Sequence, residues 1–219
     1  MRIAGIDEAG RGPVLGPMVM ACVVANENQI KIMEKAGVKD SKTLTKKQRI
    51  RLARVIADNA DEILVKIVHP WEIDAAVEGI SFKNLNYLEA SIVAEILNHL
   101  KNRVDVVYVD SPDPNPERYA MLIRNRVCTS LKIVAENDAD KKYPIVAAAS
   151  IVAKVERDKL IEDLARKYGD LGSGYPGDWK TITFLKKWIR EKGEPPPFAR
   201  KSWKTVKKIM NEYRTRRIA

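Results

Sequence analysis

Two short apolar runs, 2–7 and 104–110, each end in a carboxylate, Asp7 and Asp110. Runs of this length and composition fit buried strands bounded by turns. In an open α/β sheet, functional groups gather just beyond the carboxyl ends of such strands. Asp7 is followed at once by Glu8 and a glycine turn, and Asp110 by Pro112, Pro114 and Pro116. A further acidic pair, Asp138 and Asp140, follows a third strand-like run at 131–136. One acid at a strand end is ordinarily a surface residue. If these strands lie side by side, however, three segments aim carboxylates at one place.

The rest of the chain supplies the sheet and its helices. The Val- and Met-rich run 18–25 reads as a second strand, joined to the first through a turn with Pro13, Gly16 and Pro17. Residues 62–69 alternate well enough for another, which makes five. Thr45 with Gln48 three residues later forms a capping box that opens a helix over about 46–59. Ile50, Ala53, Val55 and Ile56 are expected on one side of it. Leu85, Leu88, Ile92, Ile96 and Leu100 recur at helical spacing over 84–100. A helix is expected from Pro116. Pro144 reads as a break before a long Ala-rich helix over 147–168 that Gly169 closes. Two more helices follow at about 179–191 and 203–214, with Asp178 and Ser202 as caps and prolines 195–197 between them.

The chain has 219 residues and a formal charge of +10, and that excess is uneven. Residues 178–219 carry 13 Lys and Arg against 4 Asp and Glu, or +9. A basic end of this kind fits either a polyanion such as nucleic acid or a solvated helical surface. Together with the proline break, it suggests a main domain over 1–177 and a basic helical region over 178–219. Only two histidines are present, which nearly excludes a His/Cys zinc site. Cys22 and Cys128 lie in apolar stretches without a paired motif and read as core thiols. The run 18–25 is too short to span a bilayer, so a cytoplasmic, non-membrane protein is expected.

Clustered carboxylates repel one another unless protonated or bridged by cations. All-oxygen donors favour Mg²⁺ or Mn²⁺ over Zn²⁺. Two such ions, typically ~3.5–4 Å apart, can activate water and stabilise a leaving oxygen in phosphodiester cleavage. Gly10-Arg11-Gly12 fails as a dinucleotide fingerprint, because position 15 is Leu and a strand-like run follows. It remains a glycine turn around one arginine, either a plain tight turn or one whose backbone approaches a ribose or phosphate.

Five segments, taken in order, resemble the ribonuclease HII family, most closely its archaeal members. They are the run from Gly5 through Asp7, Glu8, Gly10, Arg11 and Gly12 to Pro17; Asp40-Ser41-Lys42 within 38–44; Tyr108-Val109-Asp110-Ser111-Pro112; Ala147 to Asp158, with Ser150, Lys154 and Arg157; and Gly172 to Tyr175 and Pro176. The likeness spans residues 1 to about 205. It implies a ribonuclease H-like α/β fold, with a central mixed five-stranded sheet flanked by helices and a small C-terminal helical region. It implies a metal-dependent endoribonuclease acting on RNA–DNA hybrids and on ribonucleotides embedded in duplex DNA, leaving 5′-phosphate and 3′-hydroxyl ends. Asp7, Glu8, Asp110 and Asp140 would be the metal-binding catalytic carboxylates. Gly10, Arg11 and Gly12 would contact the ribose 2′-hydroxyl and the scissile phosphate, Lys42 a phosphate, and Tyr175 the following sugar. A monomer is expected. A sliding-clamp-binding tail is possible in this family, although the terminal residues 214–219 show no clear motif for it.

Two positions depart from the family pattern. Where relatives carry Glu-His-Lys-Ala-Asp, this chain has Glu136-Asn137-Asp138-Ala139-Asp140, so Asp138 is a rival or auxiliary ligand that raises local negative charge and the demand for a cation. Where close relatives carry Tyr-Pro-Ser-Asp, it has Tyr175-Pro176-Gly177-Asp178, which is expected to loosen the turn holding Tyr175. Two other functions predict different behaviour. A non-catalytic duplex-binding module would be indifferent to Asp7→Asn. A junction resolvase or phosphatase would not depend on a 2′-hydroxyl.

Overall fold

The structure is a computed structural model that describes every residue except Asp40, Thr129, Ser130 and Ala219, and, for side chains, Asn102 and 216–218. Asp40 of the Asp-Ser-Lys segment and most side chains of the terminal segment therefore lie outside the described residues.

Among the described residues five strands form one mixed sheet, as the resemblance implied, and their order is β3-β2-β1-β4-β5. β1 (Arg2–Ala9) pairs antiparallel with β2 (Met18–Asn26), with Ile6 opposite Cys22. β4 (Val106–Asp110) runs parallel to β1, with Val109 beside Ile6. β5 (Lys132–Glu136) runs parallel to β4, with Glu136 beside Asp110. β3 (Glu62–Val68) lies beyond β2. Every residue of β2 from Met18 to Ala25 is buried, the continuous apolar pattern of a strand covered on both faces.

The α-helices among the described residues are α1 (Glu27–Lys35), α2 (Lys46–Asn59), α3 (Pro70–Val77), α4 (Leu85–Leu100), α5 (Pro116–Arg124), α6 (Ala139–Lys142), α7 (Pro144–Tyr168), α8 (Trp179–Lys192) and α9 (Lys204–Ile218). The Thr45–Gln48 capping box forms as expected: Thr45 Oγ1 accepts from Gln48 N at 3.3 Å and Gln48 Oε1 from Thr45 N at 2.8 Å. Ile56 is buried as expected, but its buried partner on α2 is Leu52, and Ile50 is exposed. Pro144 does not break a helix; it starts α7, where its missing N–H costs nothing. Ser202 does not act as a simple cap, since its hydroxyl donates to Asp74 Oδ1 at 2.5 Å. Cys22 is buried as expected, but Cys128 is exposed.

The chain packs as two compact units. The first comprises residues 1–9, 19–66 and 86–156. In it, α7 crosses β1 so closely that a Cβ on Gly5 would stand 2.3 Å from Ile145 O, which leaves glycine as the residue that fits. The second comprises residues 10–18, 67–85 and 157–219. Its core gathers Val14, Leu15, Leu171, Leu185, Ile189 and Phe198, with Trp188 edge-on to Phe198 and Tyr168. No helix among the described residues is long and apolar enough to cross a membrane.

Candidate metal centre

Within the first unit, the parallel register of β1 and β4 decides where the acids meet. Ile6 stands beside Val109, so the next residues, Asp7 and Asp110, reach the same carboxyl end. Glu8 follows Asp7. One oxygen from each of Asp7, Glu8 and Asp110 lies within 4.8 Å of the others. Asp7 is 5% exposed. Burial, first, and then the charges of Glu8 and Asp110 push its carboxyl well above the ordinary range. A hydrogen bond from Ser150 and the charge of Lys154 oppose that rise. Glu8 N also donates to Asp7 Oδ1 at 2.7 Å, which fixes the rotamer. Burial likewise raises Asp110, against a 2.6 Å hydrogen bond from Ala139 N to its Oδ1, while Asp140 adds to the rise.

The expected fourth carboxylate is placed differently. Asp140 lies outside the set of three but close enough to Asp110 to raise its pKa. It is 3% exposed, on the first turn of α6, and its Oδ1 has no hydrogen-bond partner among the described residues. Its Oδ2 stands 3.5 Å from Lys42 Nζ. Asp138 is the half-exposed residue before α6, with φ at +54°. It pairs with Lys141 at 2.9 Å and approaches Lys42 at 3.8 Å. Lys42 thus bridges both acids. Partial burial works against its charge, but Asp140, Asp138 and Asp110 outweigh burial and hold the ammonium above its usual range.

These observations fit a divalent cation. The three clustered donors are all oxygen and repel one another, and the neighbouring Asp140 is buried with an unsatisfied oxygen. Sequence reading missed the support beneath them. Ser150 Oγ and Ser41 Oγ share a hydrogen bond of 2.9 Å, and Lys154 Nζ donates to both, at 2.7 Å and 2.5 Å. Ser41 and Ser150 are 109 residues apart in the chain, so only their membership in two of the quoted motifs hinted at the pairing.

The remaining expected residues belong to the second unit. Gly10 directly follows β1 in the chain and has φ of +82°. A Cβ there would fall 2.0 Å from Arg157 Nε, so the position admits only glycine. Gly12 faces Tyr175, whose Cε1 would lie 3.7 Å from an added Cβ. Tyr175 is 45% exposed, with the Arg157 guanidinium 5.8 Å from its ring centre. The turn after it is closed by Asp178 N donating to Tyr175 O at 3.1 Å. Asp178 also accepts from Ser173 N at 2.6 Å and caps α8 through Lys180 N at 3.0 Å. On α9, Lys204, Lys207 and Lys208 line an open groove of about 680 Å³.

The mixed five-stranded sheet flanked by helices, with carboxylates side by side at its strand ends, is the ribonuclease H-like fold, and the family matches make the protein a nuclease. The model of the Ribonuclease HII family matches residues 4–206, and the chain belongs to that family. It is 50% identical over 210 residues to ribonuclease HII from Thermofilum pendens, covering 95% of this chain and 99% of that one. Among solved structures, ribonuclease H2 from Pyrococcus horikoshii OT3 superposes with a TM-score of 0.90 at 43% identity, covering 98% of this chain and 99% of that one. The PCNA:RNase HII complex from Archaeoglobus fulgidus gives 0.82 at 42% identity, covering 94% and 96%.

Proposed function

We propose that this protein hydrolyses the RNA strand of RNA–DNA hybrids and cuts 5′ to ribonucleotides embedded in duplex DNA. The observation that carries this reading is the convergence of Asp7, Glu8 and Asp110 within 4.8 Å at the ends of β1 and β4. We assign Asp7, Glu8, Asp110 and Asp140 as the residues that hold two divalent cations, Mg²⁺ or Mn²⁺. Bound there, the cations would activate the attacking water and neutralise charge on the leaving oxygen. Water adds at phosphorus, the 3′-oxygen of the preceding nucleotide departs, and the products carry 5′-phosphate and 3′-hydroxyl ends. The carboxylates fix the positions at which this charge is offset. Lys42, held cationic by its acidic neighbours, supplies a phosphate contact.

The 2′-hydroxyl is the group that marks a lone ribonucleotide in DNA, so a close backbone reader suits the task. Gly10, Arg11 and Gly12 take that role, with Tyr175 packing against the following sugar. The basic region 178–219, including the groove of Lys204, Lys207 and Lys208, holds the duplex through its phosphates without reading sequence. The main domain 1–177 then carries the chemistry. The PCNA complex of the Archaeoglobus relative makes a sliding clamp a candidate partner, and a cytoplasmic monomer is the working form.

The test is a duplex with one ribonucleotide, labelled at one 5′ end, incubated in Mg²⁺, Mn²⁺ or EDTA beside an all-DNA control. A single cut 5′ to the ribonucleotide, lost in EDTA, is expected. Binding without cutting would leave a duplex-binding module, and cutting of the all-DNA control would indicate another phosphodiesterase.

Ser150→Ala removes the hydroxyl that orients Asp7 and leaves Ser41 and Lys154 short of a partner. Loss of an orienting contact of this kind is expected to weaken cation affinity about 10–100-fold. Calorimetric titration with Mn²⁺ measures this, and an unchanged affinity would remove Ser150 from the centre. Asp138→Lys replaces an acid by a base beside Lys42 and should raise the Mg²⁺ half-saturation of cleavage. Its exposure and its pairing with Lys141 keep that effect smaller than for Ser150. An unchanged half-saturation would mean that Asp138 does not tune the site.

A further inference from the structure

The backbone of the 10–12 loop is held by two side chains from a distant segment. Arg200 donates from Nη2 to Gly10 O at 2.5 Å, from Nη1 to Arg11 O at 2.7 Å and from Nε to Gly16 O at 3.1 Å. Trp203 Nε1 donates to Gly12 O at 3.1 Å. Three consecutive carbonyls therefore each accept from this pair. Arg200 is 0% exposed, although it stands in the most basic stretch of the sequence. Its guanidinium lies 5.0 Å from the centre of the Trp203 ring. A buried cation is costly unless its donors are satisfied, and here the planar fork is spent on backbone oxygens.

The 200–203 segment is itself anchored. Arg200 N donates to Val14 O at 2.9 Å, beside the bridge between Leu15 and Ala199. Asp74, on α3, accepts from Lys201 N at 2.9 Å, Ser202 N at 3.0 Å and the Ser202 hydroxyl. A chain of fixed contacts thus runs from Asp74 through residues 200–203 to the glycine turn, all within the second unit. A loop with two glycines in three residues has many conformations available, and ordering it only when substrate arrives would cost affinity and alignment.

We propose that Arg200 and Trp203 are positioning residues that pre-set the Gly10-Arg11-Gly12 backbone for the ribose. The proposal rests on the reading of this loop as the 2′-hydroxyl reader. Lysine at 200 keeps the charge but cannot reach three carbonyls in one plane. Phenylalanine at 203 keeps an aromatic ring beside Arg200 and removes the N–H to Gly12 O together with part of the indole's packing, which the melting temperature reports.

The experiment is steady-state kinetics of Arg200→Lys and Trp203→Phe on the single-ribonucleotide duplex in Mg²⁺. All-DNA duplex is used as a competitive inhibitor, and melting temperatures are recorded alongside. The expected result for Arg200→Lys is a fall of about 10²-fold in kcat/KM, the cost of a small misplacement at a reacting centre. Trp203→Phe should fall in the same direction by less. The inhibition constant of the all-DNA duplex and the Mg²⁺ half-saturation should not move in either variant. A merely structural role would lower the melting temperature and weaken all-DNA inhibition together with cleavage, and that parallel loss overturns the proposal. Unchanged kcat/KM in a folded variant also overturns it, and Trp203→Phe decides alone if Arg200→Lys does not fold. Failure of the unaltered protein to cut would instead defeat the underlying reading of the loop.

Discussion

Asp7→Asn is expected to lower kcat on the single-ribonucleotide duplex by about 10²–10³-fold, the scale seen when preorganised electrostatic groups are removed. The substitution is nearly isosteric. Its side-chain oxygen can still accept from Glu8 N, which now lies 2.7 Å from Asp7 Oδ1, so the local fold should persist. What disappears is the one nearly buried charge of the three-carboxylate cluster. Affinity for all-DNA duplex should stay where it is, since the basic helices carry that contact. Single-turnover cleavage and an anisotropy titration separate the two quantities. Activity within tenfold of the unaltered protein would place the chemistry elsewhere.

The same residue should show an opposite effect on stability. Burial and like charges raise the pKa values of Asp7 and Asp110 in the folded protein above their value of 3.8 in an unfolded chain. The metal-free folded state therefore holds these protons more tightly than the unfolded state. Their contribution is fully favourable below pH 3.8 and is lost as pH rises through the raised values. At neutral pH, metal-free Asp7→Asn should melt higher than the unaltered protein, and the difference should shrink on acidification. Divalent cation reverses the ranking. At a concentration 100 times its dissociation constant it contributes about 2.7 kcal/mol, or about 5–10 °C for a chain of this size. That increment should be largely absent in the variant. Differential scanning fluorimetry at pH 5 and pH 7.5, with and without Mn²⁺, measures all four corners. A metal-induced shift of equal size in both proteins would show that Asp7 does not hold the cation.

Local signals in the sequence located most elements because the causes are local. The Thr45–Gln48 box marks the start of α2, and the acid at position 110 marks the end of β4. The equivalent box of Asn26 and Gln29 opens α1 without a visible signal, since it sits on the last residue of a nine-residue strand and the apolar run masks it. The spacing of α2 places Ile56 correctly in the core, but tertiary packing buries Leu52 beside it and leaves Ile50 exposed. The three acids on strand ends were legible because a parallel sheet brings such ends together. Asp140 needed the fold, since four residues of separation from the end of β5 do not say how deep a side chain will sit. Arg200 illustrates the limit most clearly. In composition it is one of 13 basic residues in the tail and reads as solvated or phosphate-bound. Only the folded chain shows that it is buried and occupied with carbonyls.

The two cysteines provide an internal clock for motion beneath the metal centre. Cys22 lies opposite Ile6 in the β1–β2 ladder, adjacent to the pairing of Asp7 with Ala21, and its thiol is sealed in the core. Burial pushes its pKa up, so the reactive thiolate is suppressed until the core around β2 opens. Cys128 is open to solvent and reacts without any such opening. A disulfide reagent should therefore label the native protein in two phases, the first giving intrinsic thiol chemistry and the second the rate at which the core opens around β2, the strand paired with the one carrying Asp7 and Glu8. Cation that braces those carboxylates should slow the second phase and leave the first untouched, so the stiffness of the catalytic strand can be followed without any substrate present.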